Sequence, residues 1–180
     1  PSPVLETLPI RGYVDGMILA PLRLTPQLEA ALASSAVPVT LLGRIGEGVQ
    51  HDTVRADSQT AMRLVVDHVA SLGRTNITFL NGPSDTTPGA LRLAGFRDAV
   101  AAHAGLSTEI TEAADFTIAA GQAAAMEILS ADVRPDAIVA ANDLIGIGVL
   151  RAAEDIGIRV PEDLVVTGVD DTELASVVRP

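Results

Sequence analysis

Polar side chains follow three apolar runs of this sequence, at the point where each run ends. They are Asn81, Ser84 and Asp85 after residues 76–80, Asn142 and Asp143 after residues 137–141, and Asp170 and Asp171 after residues 164–169. Helix-length amphipathic stretches separate the runs, which is typical of strands in a parallel sheet. Because ligands of open parallel sheets bind at the carboxyl ends of the strands, these side chains indicate one polar small-molecule site.

Two of these strand ends have both a structural and a functional interpretation. Asn142 and Asp143 are of the types favoured at helix N-caps, each worth about 1 kcal/mol, and they could equally offer an amide and a carboxylate to ligand hydroxyls. Asp170 and Asp171 could cap a helix that begins near Thr172. Two adjacent carboxylates exceed what one cap requires, which favours the functional interpretation at that turn.

An arginine and a phenylalanine are the other candidates for a ligand contact. Arg92 is predicted in the first turn of a helix, where the helix dipole disfavours a cation, so we expect an acidic side chain or a ligand to compensate it. Phe116 follows a weak predicted strand. Its ring either packs in the ordinary way or stacks on a ligand, and the sequence leaves both alternatives open.

The sequence contains no familiar catalytic or cofactor motif. GxSxG, HExxH, GxGxxG and P-loop patterns are absent, and the three histidines lack the spacing of metal ligands. Gly146 and Gly148 lie after the predicted start of a helix, so they indicate close helix packing rather than a dinucleotide-binding turn. We therefore predict no cofactor, no metal and no catalytic residues.

Composition excludes further classes of protein. All 12 residues counted as Lys or Arg are Arg, which excludes a phosphate-binding or Schiff-base lysine, and the lack of Cys excludes thiol catalysis and thiolate metal sites. The formal net charge of −11 opposes nucleic-acid binding by this segment. No apolar run reaches the roughly 18 residues of a membrane span, and no secretory signal is visible, so we expect a cytoplasmic location without a membrane partner.

Hydrophobic periodicity predicts an α/β fold with a parallel sheet and right-handed crossovers. The predicted strands cover residues 14–20, 37–42, 76–81, 137–141 and 164–169, with a weak one at 109–110, and the helices cover about 25–36, 57–72, 89–104, 118–130 and 143–156. Thr25-Pro26 predicts an N-cap with proline at the first helical position. Gly43–Arg55 is predicted to be a loop or a crossover, and it is the candidate boundary between a partial first subdomain (1–56) and a second subdomain (57–180).

Side-chain spacing also predicts which face of the second helix is buried. Its predicted core residues are Ala61, Val65, Val69 and Leu72. Gly73 then lies where a left-handed residue would end the helix.

Taken in order, these segments resemble the effector-binding region of the LacI/GalR family of bacterial transcription regulators. The resemblance is carried by VDGMILAPL, PVTLLGR, VVDHVASLGRTNITFLNGPSD, GALRLAGFRDAV, DAIVAANDLIGIGVLRAAEDIGIRVPEDLVVTGVDD and LASVVRP. It implies a fold like that of type I periplasmic binding proteins, with two α/β subdomains and an effector between them. It also implies a fragment in which the first subdomain is incomplete and the helix-turn-helix head and the C-terminal end are lacking.

The resemblance implies roles for four residues. Arg92 matches an arginine that contacts the effector, Asn142 a strand-end residue that lines the pocket, and Asp170 a carboxylate that accepts from ligand hydroxyls or amines. Phe116 matches a position where some members stack an aromatic ring on the ligand. Ala90 stands where sugar-responsive members often carry a second arginine, so a sugar, a sugar phosphate and a purine all stay open. The implied partners are this effector, a second copy of the chain in a homodimer, and operator DNA bound through the head.

Two other functions share parts of this pattern. A solute-binding protein of a transport system has the same fold, and an export signal rather than a DNA-binding head would identify it. An enzyme could use strand-end carboxylates to hold Mg²⁺ for phosphoryl transfer, with Asp85, Asp143, Asp170 and Asp171 as ligands. The lack of lysine disfavours the enzyme, because such sites commonly use one to neutralise the phosphoryl oxygens.

Overall fold

The computed structural model describes residues 14–43 and 51–179. Their contacts divide them into two units, and the first comprises the described residues up to Asp57 together with Asp85–Pro88. The second comprises Ser58–Ser84 and the chain from Gly89 onwards. Nowhere in the described ranges is a helix both long and apolar enough to cross a bilayer.

The first unit is built on a parallel three-stranded sheet. Its strands are β1 (Met17–Leu19), β2 (Val39–Leu42) and β3 (Asp52–Val54), in the order β1-β2-β3, and helix α1 spans Pro26–Ala33. The predicted cap is confirmed, because the Thr25 side chain accepts a hydrogen bond from the Leu28 amide at 3.2 Å and Pro26 is the first helical residue. Leu32, Val39 and Leu41 form the small buried core of this unit.

Two predictions for the first unit are wrong. The segment Gly43–Arg55 is not only a loop, since it contains β3, which pairs with β2; residues 44–50 of it lie outside the described part. All three residues of β3 are exposed, so no apolar pattern marked it as a strand. Helix α1 ends at Ala33, three residues before the end predicted at residue 36.

The second unit contains the larger sheet, and the predicted α/β class is confirmed. The strands are β4 (Asn76–Asn81), β5 (Ser107–Glu112), β6 (Ala137–Ala140) and β7 (Val165–Thr167), all parallel in the order β5-β4-β6-β7. The helices are α2 (Ser58–Ser71), α3 (Thr87–Ala101, mostly in this unit), α4 (Ile118–Leu129) and α5 (Asp143–Asp155). The central strand β6 is buried along its whole length, as expected for a parallel strand covered on both faces.

The buried face of α2 differs from the predicted one. Met62, Val66 and Val69 are fully buried, whereas Leu72 is 50% exposed. The prediction named Ala61 and Val65, but the buried residues are the next ones along the chain, Met62 and Val66. Because successive helical residues are about 100° apart around the axis, this difference of one position rotates the predicted face by about 100°. The predicted end of the helix is confirmed, because Gly73 has a φ of +76°.

An aspartate fixes the amino-terminal edge of the second sheet. The two carboxylate oxygens of Asp136 accept hydrogen bonds from the amides of Thr75 and Asn76, at 2.9 and 3.0 Å. Asp136 directly precedes β6 and Asn76 begins β4. One side chain therefore ties the starts of the two central strands together.

Helices α4 and α5 approach each other through glycines. A Cβ atom on Gly148 would collide with the carbonyl oxygen of Ile118 and would lie 2.5 Å from the Gln122 amide nitrogen. One on Gly121 would lie 2.6 Å from the carbonyl oxygen of Ile145. The prediction of close helix packing is confirmed for Gly148. Gly146 makes only ordinary contacts, with a Cβ position 3.6 Å from Ala140 Cβ.

Candidate functional site

The connections of the second sheet reverse direction between β4 and β6. The chain leaves β4 through α3 and returns on one side as β5, and it leaves β6 through α5 and returns on the other side as β7. Ligands of open α/β sheets bind outside the carboxyl ends of the strands at such a switch point. The residues that end β4 and follow β6, Asn81 and Asn142, therefore mark the candidate site.

Arg92 and Asp170 are brought together at this edge. Arg92 Nη2 donates to Asp170 Oδ1 at 2.7 Å. The Arg92 side chain is 16% exposed and that of Asp170 is 39% exposed. Solvent, or a ligand, therefore contacts this pair mainly at the Asp170 carboxylate. Because α3 begins at Thr87, Arg92 lies in the second turn rather than the predicted first. The acidic group expected to compensate it is Asp170.

Asn142 serves as the N-cap of α5. Its Oδ1 accepts from the Ile145 amide at 2.9 Å, and the residue is buried. The capping interpretation is thus confirmed, and it uses only the oxygen of the side-chain amide. The amide nitrogen is not used by the cap, and as a donor it could meet a ligand oxygen.

Phe116 lies against the end of β4. Its ring covers Gly82, the residue after the strand, so closely that a Cβ there would overlap the ring atoms. The side chain also packs against the core of the second unit. The ordinary packing interpretation therefore holds, and it places an aromatic surface beside the polar strand ends.

Three of the carboxylates considered for Mg²⁺ have other partners. Asp85 accepts from Arg23 Nε at 2.7 Å and from Nη2 at 3.1 Å within the first unit, and this hydrogen bonding lowers the pKa of Asp85. Asp143 accepts from Thr172, and Asp170 accepts from Arg92. Within the described ranges no group of three or more His, Cys, Asp or Glu side chains is placed to hold a metal ion. The Mg²⁺ hypothesis loses its geometric support.

The turn after β7 does not follow the capping alternative for its two aspartates. A short 3-10 helix follows at Glu173–Ser176, and Thr172, not Asp170 or Asp171, precedes it. Both aspartates have positive φ values, 111° for Asp170 and 53° for Asp171. They belong to a turn in a conformation that few non-glycine residues adopt.

Two strands of the second sheet end in a residue with a buried polar side-chain atom. Asn81 Oδ1 and Thr167 Oγ1 are buried and have no hydrogen-bond partner among the described residues, although Asn81 Nδ2 donates to the Gly89 carbonyl at 3.1 Å. Buried polar atoms are nearly always bonded to protein or to water, so these two oxygens call for a water or another polar partner at the strand ends. Asn81 is among the polar residues that the sequence placed at the strand ends, whereas Thr167 was missed because it lies within the apolar run 164–169, which predicted only a strand.

The family match and the curated relatives of this chain point to the same kind of protein. Residues 66–180 match the family described as periplasmic binding protein-like domain. The chain is 34% identical over 154 residues to the HTH-type transcriptional regulator MalR of Streptomyces coelicolor, covering 83% of this chain and 44% of MalR. It is 33% identical over 181 residues to the ribose operon repressor of Escherichia coli, covering 98% and 54%. The chain thus spans about half the length of these curated relatives.

Solved structures agree with the sequence relatives. A LacI transcriptional regulator from Rhodococcus has a TM-score of 0.86 at 32% identity, covering 96% of this chain and 63% of that one. The regulator CelR in complex with cellobiose has a TM-score of 0.84 at 32% identity, with coverages of 98% and 56%. The lac repressor dimer bound to operator and an anti-inducer has a TM-score of 0.83 at 29% identity, with coverages of 96% and 60%.

Proposed function

Because the chain belongs to the periplasmic-binding-protein-like domains of LacI-type transcriptional regulators, we propose that it is the effector-sensing part of such a regulator. It acts without catalysis: a small molecule binds at the carboxyl edge of the second sheet, and this binding controls the affinity of a separate DNA-binding segment for an operator in the cytoplasm. The observation that carries the proposal is the Arg92–Asp170 pair beside the switch point of that sheet.

Each of the four candidate residues has a distinct role in this proposal. Asp170 accepts hydrogen bonds from ligand hydroxyls, and Arg92 donates to ligand oxygens while holding the carboxylate in place. Asn142 donates from the amide nitrogen that its cap leaves unused. Phe116 supplies an apolar face for a sugar ring or a base. A mainly apolar wall with a few directed polar groups is the usual composition of a small-molecule site.

The charges at this edge favour a neutral effector. The positive charge of Arg92 is already matched by Asp170 at 2.7 Å, and Asp171 directly follows. An anionic ligand would compete with Asp170 for one cation and would face the neighbouring carboxylates. A neutral polyol can instead donate to Asp170 and accept from Arg92 at the same time. We therefore place neutral sugars ahead of sugar phosphates.

The named relatives are consistent with this choice of ligand. The solved CelR structure is a complex with cellobiose, a neutral disaccharide, and a curated relative is a ribose operon repressor. The lac repressor comparison is a dimer on its operator, which supports a homodimer for the protein that contains this chain. Coupling between effector and operator sites is typically about 1–3 kcal/mol, so an effector shifts operator affinity by about 5- to 150-fold.

A thermal-shift screen of the 180-residue chain tests the proposal. Neutral sugars, sugar phosphates and purines are each added at several concentrations, with an extrinsic dye because the chain has no Trp and one Tyr. A ligand at 100 times its dissociation constant adds about 2.7 kcal/mol, which raises the melting temperature by roughly 5–10 °C for a chain of this size. We expect this response from a neutral sugar.

Two arginine variants give the matched control. Arg92→Ala should abolish the ligand response, whereas Arg97→Ala, which removes the same charge from an exposed position on α3, should retain it. An equal response in both variants would show that the ligand binds elsewhere. A larger response to sugar phosphates than to neutral sugars would refute the charge argument and leave the sensor function in place.

A further inference from the structure

The turn that carries Asp170 must be held by its surroundings. Asp170 and Asp171 have φ values of 111° and 53°, which place both residues in sparsely populated backbone regions that cost free energy to hold. This strain persists only where neighbouring contacts determine the conformation. The bond from Arg92 reaches the Asp170 side chain, so it cannot by itself fix the backbone on both sides of that residue.

Asp143 contacts this turn on both sides of Asp170. Its amide donates to the Val169 carbonyl at 2.9 Å, immediately before Asp170. Its Oδ2 accepts from the Thr172 amide at 2.7 Å and from Thr172 Oγ1 at 3.0 Å, two residues after Asp170. Asp143 is buried, which strengthens bonds made to its charged carboxylate.

The other oxygen of the same carboxylate lies against Gly168. A Cβ atom at that glycine would lie 2.5 Å from Asp143 Oδ1 and 3.2 Å from Asp143 Cα. The absence of a side chain at residue 168 therefore allows Asp143 to approach the backbone that leads into the turn. Gly168, Asp143 and Thr172 form one set of contacts around the strained pair.

We infer that Asp143 is the positioning residue of the effector site. It fixes the backbone on either side of Asp170, and the Asp170 carboxylate is thereby aimed at Arg92 and at the ligand. Asp143 does not touch the ligand in this arrangement, because both of its oxygens face the turn. The effect on ligand affinity rests on the proposed function, whereas the effect on the Arg92–Asp170 pair does not.

A simpler role would be complementing the dipole at the start of α5. An acid in the first turn of a helix is stabilising wherever its oxygens point. That role predicts lower stability for Asp143→Ala but no change in how strongly Arg92 and Asp170 interact. The two bonds to Thr172 are what the positioning role requires and the dipole role does not.

A double-mutant cycle separates these roles without a ligand. The melting temperatures of the 180-residue chain, Arg92→Ala, Asp170→Ala and the double variant give the coupling of the pair. The cycle is repeated in three backgrounds, Asp143→Ala, Asp143→Asn and Asp136→Ala. We expect Asp143→Ala to remove most of the coupling and Asp143→Asn, which retains an acceptor for the Thr172 amide, to restore a large part of it.

Asp136→Ala is the matched control for stability. It also removes an aspartate that accepts two hydrogen bonds, but at the amino-terminal edge of the same sheet. We expect it to lower the melting temperature and to leave the Arg92–Asp170 coupling intact. An unchanged coupling in Asp143→Ala would overturn the inference. If that variant does not fold, Thr172→Val removes one of the two bonds and should reduce the coupling by a smaller amount.

Ligand affinity provides the second readout. With the neutral sugar that gives the largest shift, Asp143→Ala should weaken binding at least about tenfold, the effect expected from losing a hydrogen bond to a charged group. Asp136→Ala should change it less than about twofold, because substitutions far from a feature have small effects on it. Full affinity in Asp143→Ala would contradict the positioning role. If no compound stabilises the parent chain, the proposed function fails, and the coupling measurement still decides the role of Asp143.

Discussion

Substituting Gly148 by alanine should destabilise the second unit, although alanine is the better helix former. A Cβ at this position would lie 2.5 Å from the Gln122 amide nitrogen and 2.8 Å from the Gly121 carbonyl carbon. All of its near neighbours are backbone atoms of α4, so α4 and α5 must separate by about 1 Å to reach ordinary contact distances. Overpacking of this kind costs about 1–3 kcal/mol, and backbone obstruction places it at the upper end. Helix propensity returns about 1 kcal/mol, so the expected net loss is about 2 kcal/mol.

Gly146→Ala in the same helix is the matched control. The nearest neighbours of its added Cβ are 3.6 Å away, so the propensity gain of about 1 kcal/mol should appear as increased stability. The two variants should differ by about 3 kcal/mol, or roughly 6–12 °C in melting temperature for a domain of this size. Urea and thermal unfolding of both chains measure the difference. If both substitutions stabilise the chain, or both destabilise it equally, the two helices are not in backbone contact at Gly148.

Two further predictions concern other carboxylates. Asp136→Ala removes two hydrogen bonds to backbone amides and should lower the free energy of unfolding by about 2 kcal/mol, whereas Asp132→Ala at a neighbouring exposed position should change it by less than about 0.5 kcal/mol in urea unfolding. The Arg159 guanidinium lowers the pKa of Asp163 by hydrogen bonding, so the stabilisation from this exposed pair is present above the ordinary aspartate pKa and is lost as the pH falls through the lowered value. The melting temperature of Asp163→Asn should therefore lie slightly below that of the parent chain at pH 6, and the two should converge once the pH falls below the lowered pKa of Asp163. A difference that grows on acidification would contradict this sign.

The sequence predicted the two central strands of the larger sheet well because these strands are buried. Residues 76–81 match β4 at both ends, and 137–141 differs from β6 by one residue. Parallel strands covered on both faces produce continuous apolar runs that end abruptly, and glycines such as Gly73 mark the helix ends. β3 was missed for the opposite reason: its three exposed residues carry no pattern, and only pairing with β2 defines it.

The sequence predicted which side chains gather at the carboxyl edge of the second sheet but not how they contact one another. Polar residues after apolar runs lie at one edge because the strands of this sheet are all parallel. The order β5-β4-β6-β7, and with it the switch point, depends on crossovers that periodicity does not encode. The positive φ values of Asp170 and Asp171 depend on contacts with Asp143, whose sequence separation from them is 27 and 28 residues. A pattern within one turn could not reveal them.

The sequence offers helix capping and ligand binding as alternative roles for Asn142 and Asp143. The structure gives a reason to treat the two roles as compatible. Asn142 caps α5 with its oxygen, which orients the amide nitrogen without using it. The carboxylate of Asp143 accepts a hydrogen bond from the turn, at Thr172. Asp170 can therefore pair with Arg92, and its own side chain stays 39% exposed. A side chain whose orientation is fixed by a structural bond loses less conformational entropy when a ligand arrives. The helix cap and the strained turn are therefore the features that would preorganise this edge of the sheet for an effector.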